Sequence, residues 1–270
     1  MPSSYLDTTI LVDVGQGREP QCATALRYTR ANQPVLVPEY AYRELLVGRV
    51  GLLCDAHNKM KAADNPIDVA LVMLARGGFG RTPIAQAVEI LRPLREMFDK
   101  EAAVDPVAAK RKIVEELMMM ANKLWRRARD FPLADHVQPL PCFNNGSIQT
   151  DRHGLLRGPG DTFNCVDRVA CGAAQRIYEN RVSLRKMITA LDSDDLPEKL
   201  KNKGETRSRR RMLKDLESKG PAYVTRARCR KIGDAYFAAM CPAGSHVVTT
   251  NVDDYLPLCG ALKKEAKVPV

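Results

Sequence analysis

The sequence predicts an α/β protein built on a parallel sheet, and three observations carry that prediction. Short apolar, β-branched runs at residues 5–12, 34–38 and 246–249 stand among stretches with helical spacing of apolar side chains. Turn signals such as Pro242-Ala243-Gly244 separate them. With 270 residues, the chain is long enough to bury a sizeable core, in one large domain or two small ones.

Residues 5–12 read as the first strand, and Asp7 lies inside it. A buried charge is costly unless paired or metal-bound, so Asp7 is a candidate site acid; alternatively it caps a helix that begins at Thr8 or Thr9. Residues 21–30 read as a helix, and 34–38 as a second strand ended by its proline. A helix over 39–49 follows, carrying Glu44 just before Leu45 and Leu46. A lone glutamate on a helix is ordinarily solvated. This one follows a strand and stands beside apolar neighbours, which lets it point toward the strand ends. The order strand, helix, strand, helix implies right-handed crossovers in a parallel sheet.

From 52 to 130 the pattern is mainly helical, over 52–76, 84–100 and 106–129. Gly77-Gly78-Phe79-Gly80 follows a helix and lacks G-K-[ST], so it reads as a helix stop rather than a phosphate cradle. Met118-Met119-Met120 reads as core filling. Residues 132–160 are the least regular part, with a short strand at 136–141. Helix resumes over 161–191, where Asp161 and Asp167 read as a first-turn acid and a solvated neighbour of Arg168.

Residues 231–255 are the most informative. Asp234 follows Gly233 at a helix start, where a negative side chain is favoured. The strand at 246–249 then delivers an acidic loop with Asn251, Asp253 and Asp254 to its C-terminal end, the edge at which α/β sheets build sites. Two acidic positions can therefore converge, and Asp7 and Glu44 occupy strand-end positions of the same kind.

The formal net charge is +10, which favours a polyanionic partner. From Lys201 to Lys231 there are twelve Lys or Arg against three acids, so nearly the whole excess lies in one segment. Such a run is usually a solvated face; directly before an acidic site it is also a candidate contact for nucleic-acid phosphates, through Arg207, Arg209, Arg210, Arg211, Arg228, Arg230 and Lys231. The 8 cysteines form no C-x-x-C pair, and no secretory or membrane-spanning pattern is read, so a cytoplasmic protein with reduced thiols and no membrane partner is expected. Cys142, His153, Cys165 and Cys171 fit no common zinc-finger spacing.

These residues resemble the PIN-domain nuclease family. The similarity lies in Y-L-D-T-T-I-L-V at the start, V-L-V-P-E-Y-A-Y-R-E-L-L-V-G-R around Glu44, K-I-G-D-A-Y-F-A-A around Asp234, V-V-T-T-N-V-D-D-Y-L-P-L and the closing L-C-G-A-L-K-K-E-A-K-V-P. It covers the first 50 and last 45 or so residues, four motifs in the family's order. The resemblance implies a three-layer α/β/α sandwich with a central parallel sheet, made by residues 1–50 and 225–270. Residues 51–224 would be a mainly helical extension, part of which completes the core. It also implies cleavage of phosphodiester bonds, mostly in RNA, dependent on Mg²⁺ or Mn²⁺. Asp7, Glu44 and Asp234 would be the core metal-binding acids and Asp254 the fourth, with Thr9, Asn251 and Asp253 in support. Two departures stand out: Glu44 and Asp234 are 190 positions apart, far more than in typical members, and Asn251 stands where many members have Asp. A non-catalytic PIN-like module binding RNA or protein is the alternative. An antitoxin-like inhibitory partner and a homodimer are compatible with the family.

The chemistry suits these residue types. A phosphodiester repels an attacking hydroxide, and divalent ions held by carboxylates relieve that charge, acidify a bound water and stabilise the leaving oxygen. Mg²⁺ takes oxygen ligands and keeps several waters, so three or four carboxylates suffice. Empty, such acids repel one another, and a metal ion or a nearby Lys or Arg is needed to settle them.

Overall fold

The computed structural model describes residues 3–17, 19–62, 105–130, 134–140, 142–143, 146–158 and 171–270. The expected helix at 84–100, the turn at 77–80, and Asp161, Cys165 and Asp167 lie outside the described residues. In chain order the elements are β1 (Ser4–Leu6), α1 (Thr8–Gln16), α2 (Gln21–Ala31), β2 (Val35–Pro38), α3 (Glu39–Leu45), α4 (Gly51–Ala62), α5 (Pro106–Arg129), β3 (Ala134–Gln138), β4 (Gln149–Thr150) and β5 (Leu156–Arg157). They continue with α6 (Gly172–Glu179), α7 (Arg181–Asp192), α8 (Glu198–Lys201), α9 (Gly204–Lys219), α10 (Arg226–Cys229), α11 (Gly233–Met240), β6 (His246–Val248), α12 (Val252–Ala261) and β7 (Glu265–Lys267). A π turn at Leu46–Val50 joins α3 to α4.

The chain divides into two compact units, one of residues 1–44, 127–145 and 164–270, the other of 45–126 and 146–163. The first holds a five-stranded sheet in the order β3-β2-β1-β6-β7, and every neighbouring pair is parallel. The protein is therefore α/β, with helices completing a sheet whose strands never form hairpins, consistent with an α/β/α layering. From the expected helical middle at 51–224, part of which was to complete the core, β3 and α6 to α9 join the sheet unit, while residues 45–50 fall in the other. In the second unit, Asn58 on α4 both donates to and accepts from the backbone of Leu156 on β5, at 2.9 and 2.7 Å, and Trp125 Nε1 donates to the Gly146 carbonyl at 2.9 Å.

Strand order decides where a site can form. From β1 the chain builds outward through β2 to β3, then returns to the other side of β1 with β6 and β7. The order thus reverses between β1 and β6, and the crevice beyond the carboxyl ends of these two strands is the place such sheets bind ligands. Leu6 pairs with Val248, and the Asp7 N–H donates to the Val248 carbonyl at 3.0 Å. The residues that follow both strands are thereby set side by side. Beneath them lies an aromatic core of Tyr5, Tyr40, Tyr236, Phe237 and Tyr255, all fully buried, with Tyr40 and Tyr236 ring centroids 4.7 Å apart.

Several sequence expectations shift. The first strand ends at Leu6, not at residue 12. Asp7 caps α1 by accepting from the Thr8 N–H at 2.7 Å, and the apolar run behind it is helical, with Ile10, Leu11 and Val14 buried on one face. The expected acidic loop is the first turn of α12, with Asn251 at its N-cap. Residues 172–191 form two helices broken at Asn180, whose side chain caps the second. The strand expected at 136–141 starts earlier, at Ala134. The methionine triplet is not core: Met119 is 54% exposed, while Ile113, Leu117, Ala121 and Trp125 form the buried face of α5. The closing strand β7 escaped the sequence reading because Glu265-Ala266-Lys267 lacks an apolar alternation and sits at the sheet edge.

Candidate functional site

Four acids from four elements come within electrostatic reach of one another near the carboxyl ends of β1 and β6. Asp7 comes from the turn after β1, Glu44 from α3, Asp234 from the first turn of α11 and Asp254 from the first turn of α12. All belong to the sheet unit.

Asp7 is buried and every lone-pair direction is answered. Its Oδ1 accepts from the Thr8 N–H at 2.7 Å and from the Tyr255 hydroxyl at 2.9 Å; its Oδ2 accepts from Thr249 at 2.7 Å and Thr9 at 3.0 Å. Burial pushes its pKa up, and these bonds oppose the rise. Thr9 also accepts from the Thr250 N–H at 3.1 Å, fastening α1 to the turn after β6.

Glu44 accepts from the Thr8 hydroxyl at 2.6 Å. Its carboxyl is raised to about 8 by burial and then by the negative charge of Asp7, with Asp234 adding to the rise and the Thr8 bond opposing it. Neighbouring Thr8 and Asp7 thus bridge two acids through one turn of chain. Glu44 also lies hard against Gly233: a Cβ there would run into Glu44 Oε1 and come within 3.3 Å of the Tyr40 ring and hydroxyl. The glycine lets α11 approach α3 closely enough for Asp234 to act on the charge of Glu44.

Asp234 pairs with Arg209 of α9. Burial still raises its carboxyl to about 6, with Arg209 pulling down and Asp7 and Asp254 pushing up. Asp254, 3% exposed, accepts from Lys203 with both oxygens, at 2.6 and 2.7 Å, and from the Asn251 amide at 2.5 Å. Burial opposes its ionisation, yet the Lys203 and Asn251 bonds outweigh that, and its carboxyl lies below the ordinary range.

The requirement for a cation among these acids is met by Lys203 and Arg209. Arg209 was expected on a nucleic-acid contact surface; it is instead buried, its guanidinium directed at Asp234, because residue 209 falls on the inward face of α9 with Met212, Leu213 and Leu216. Arg210 turns to Asp192 at 3.5 Å, and Arg228 stacks on Tyr223 at 3.9 Å while donating to its carbonyl. Arg207, Arg211, Arg230 and Lys231 are exposed. Asp253 also leaves the cluster: one step along α12 from Asp254, it faces solvent and pairs with Lys199 at 3.1 Å.

Sequence reasoning missed Thr249, Tyr255, Lys203 and Gly233 as site residues. Lys203 was merely one charge of a basic run, and Tyr255 one aromatic after an acid. The signal for Thr249 was its place at the end of a buried strand, where a hydroxyl needs a partner.

The donors of this cluster are carboxylate oxygens, the set Mg²⁺ or Mn²⁺ takes. Among the described residues, no three His, Cys, Asp or Glu side chains stand together as a ready ion cage. In donor chemistry the four acids suit a divalent ion; in this structure Asp234 is paired with Arg209 and Asp254 with Lys203. Among the described residues, no helix is long and apolar enough to cross a membrane. Comparison of the chain with protein-family models, with curated proteins and with solved structures finds no match in any of the three.

Proposed function

We propose that the chain is a metal-dependent nuclease of the PIN type, acting on RNA and expected in the cytoplasm. The observation that carries this is the gathering of Asp7, Glu44, Asp234 and Asp254 at the point where the sheet order reverses. A Mg²⁺ or Mn²⁺ ion held by these acids would supply an acidified water and charge relief at the phosphate. The chain's own part is to hold and orient. Thr8, Thr9, Thr249 and Tyr255 fix Asp7 and Glu44, so that the carboxylates need little reordering. Lys203 and Arg209 keep the acids together in the absence of an ion, and their donors suit phosphate oxygens once the acids are otherwise engaged. The exposed Arg207, Arg211, Arg230 and Lys231 would bind the substrate backbone beside the acids.

A second reading is favoured by the ion pairs themselves. Acids already neutralised by Lys203 and Arg209, with Asn251 in place of a further carboxylate, suit a non-catalytic PIN-like module that binds RNA or a protein partner. An antitoxin-like inhibitor and a homodimer are compatible with either reading. The experiment is cleavage of single-stranded RNA by the purified chain with and without Mn²⁺ or Mg²⁺, alongside Asp7→Asn and Asp234→Asn. Metal-dependent cleavage lost in both variants is expected. RNA binding with no saturable uptake of metal would favour the module, and cleavage undiminished in both variants would overturn the site.

A further inference from the structure

A second chemically equipped site lies in the sheet unit, formed by two cysteines that are 58 positions apart. Cys171 stands at the N-cap of α6, and Cys229 closes α10. Their sulfurs are 3.3 Å apart, in direct contact. A disulfide needs about 2.05 Å between sulfurs, so little more than 1 Å of approach separates this pair from a bond. Cys22, Cys54, Cys241 and Cys259 are likewise not in disulfides.

The two thiols are unequal. The contact with Cys229 acts first on Cys171, and the backbone N–H groups of Ala174 and Ala173 at the start of α6 and the charge of Arg43 add to it; burial works against these, yet the net effect favours its thiolate. Cys229 is driven the other way, first by its bond to Cys171 and then by burial. Cys171 keeps 7% exposure and Cys229 1%. The thiolate-favouring sulfur is thus also the one a small oxidant reaches first, and the resolving thiol already touches it.

We propose that Cys171 and Cys229 are a reversible dithiol–disulfide site, with Cys171 the sulfur attacked by a peroxide-class oxidant and Cys229 the resolving thiol. The Cys171 thiolate attacks one peroxide oxygen, the O–O bond breaks, and hydroxide leaves; Cys171 becomes a sulfenic acid and the hydroxide takes a proton to become water. The Cys229 sulfur then attacks Cys171, forming the S–S bond while the sulfenic oxygen departs as a second water. Over both steps two thiols lose two electrons and two protons, and one peroxide is reduced to two waters.

The site is placed to act on the acids. The Cys229 carbonyl accepts from the Tyr40 hydroxyl at 2.9 Å, Tyr40 packs against Gly233 together with Glu44, and Cys229 leads through residues 230–232 into the start of α11, where Asp234 stands. Drawing Cys229 toward α6 therefore pulls on the segment that brings Asp234 to Glu44.

The test is graded treatment of the native full chain with hydrogen peroxide, alkylation of remaining thiols after denaturation, and peptide mapping without reductant. The expected result is a linkage of Cys171 to Cys229 that appears at lower peroxide than any other cysteine modification and is fully reversed by dithiothreitol. In Cys229→Ser, Cys171 should stop at the sulfenic acid and be trapped by dimedone. A map in which Cys171 and Cys229 both stay alkylatable while other cysteines oxidise would overturn the proposal. So would a Cys171 linked to a different partner, or a reversal of the order in which Cys229→Ala becomes peroxide-insensitive while Cys171→Ala forms a sulfenic acid at Cys229. The wild-type map decides the matter even if a variant fails to fold.

Discussion

Replacing Glu44 by glutamine should stabilise the metal-free protein, and increasingly so as pH rises. The carboxyl of Glu44 is raised from an ordinary value of 4.5 to about 8, by burial and then by Asp7. Below pH 4.5 both folded and unfolded chains carry the proton, and Glu44 has no effect on the balance. Above that value the unfolded chain ionises while the folded one does not, so stability falls until pH reaches about 8, where the folded carboxyl also ionises and the loss is complete. Each pH unit in that window removes about 1.4 kcal/mol, a ceiling of roughly 5 kcal/mol. Glu44 is only half-buried, and water at its edge is expected to cut this to ~2 kcal/mol at pH 8. Glutamine keeps an oxygen to accept from Thr8, which donates at 2.6 Å, and carries no charge at any pH. Urea unfolding of both proteins in EDTA, from pH 5 to 8.5, measures the difference. Equal stabilities at pH 8, or a difference that does not grow from pH 5, would show that Glu44 does not sit among uncompensated negative charge.

Three further outcomes follow from the same geometry. Lys203→Met strips the 3%-exposed Asp254 of its bidentate cation and should cost about 3 kcal/mol at pH 7. Since the Asp254 carboxyl is held below its ordinary value of 3.8, the stability it contributes is present at neutral pH and is lost only below pH 3.8, as pH falls through that depressed value; the variant's deficit should therefore shrink in strong acid, as urea titrations at pH 7 and at about pH 2 would show. Tyr255→Phe removes the hydroxyl that donates to Asp7 at 2.9 Å, with an expected loss of ~2 kcal/mol for a bond to a charged acceptor; a change under about 0.5 kcal/mol in chemical denaturation would mean that Asp7 is not held through Tyr255. Arg207→Ser with Arg211→Ser, both exposed, should leave stability within about 0.5 kcal/mol. Fluorescence titration with single-stranded RNA should show weaker binding and a log–log salt slope shallower by about 0.7 for each phosphate that is no longer neutralised.

Much of the fold is local in origin and could be read residue by residue. Asp7 shows where the reading divides. The same tetrad, Leu6-Asp7-Thr8-Thr9, supports a strand with an internal acid or a strand that stops at a cap, since its apolar neighbours suit either. The bond from the Thr8 N–H to Asp7 settles it. Arg209 shows the other limit. A run of Arg209-Arg210-Arg211 advertises a charged surface, but helical rotation sends the first inward and the third to solvent. The rotation of a helix about its axis is set by what it packs on, which a charge count does not contain.

The sequence by itself determined the α/β class, the acids at strand ends and helix starts, and the concentration of positive charge before the last motif, because side-chain periodicity and capping act over a few neighbouring residues. Tertiary structure alone decided that β6 lies beside β1, so that Thr249, 242 positions away, donates to Asp7. It also decided that Lys203 and Arg209 neutralise Asp254 and Asp234, and that Cys171 meets Cys229. The physical reason is the same in each case: burial makes a charge or a polar hydrogen seek the nearest partner in space, and strand order, not chain distance, determines which partner that is.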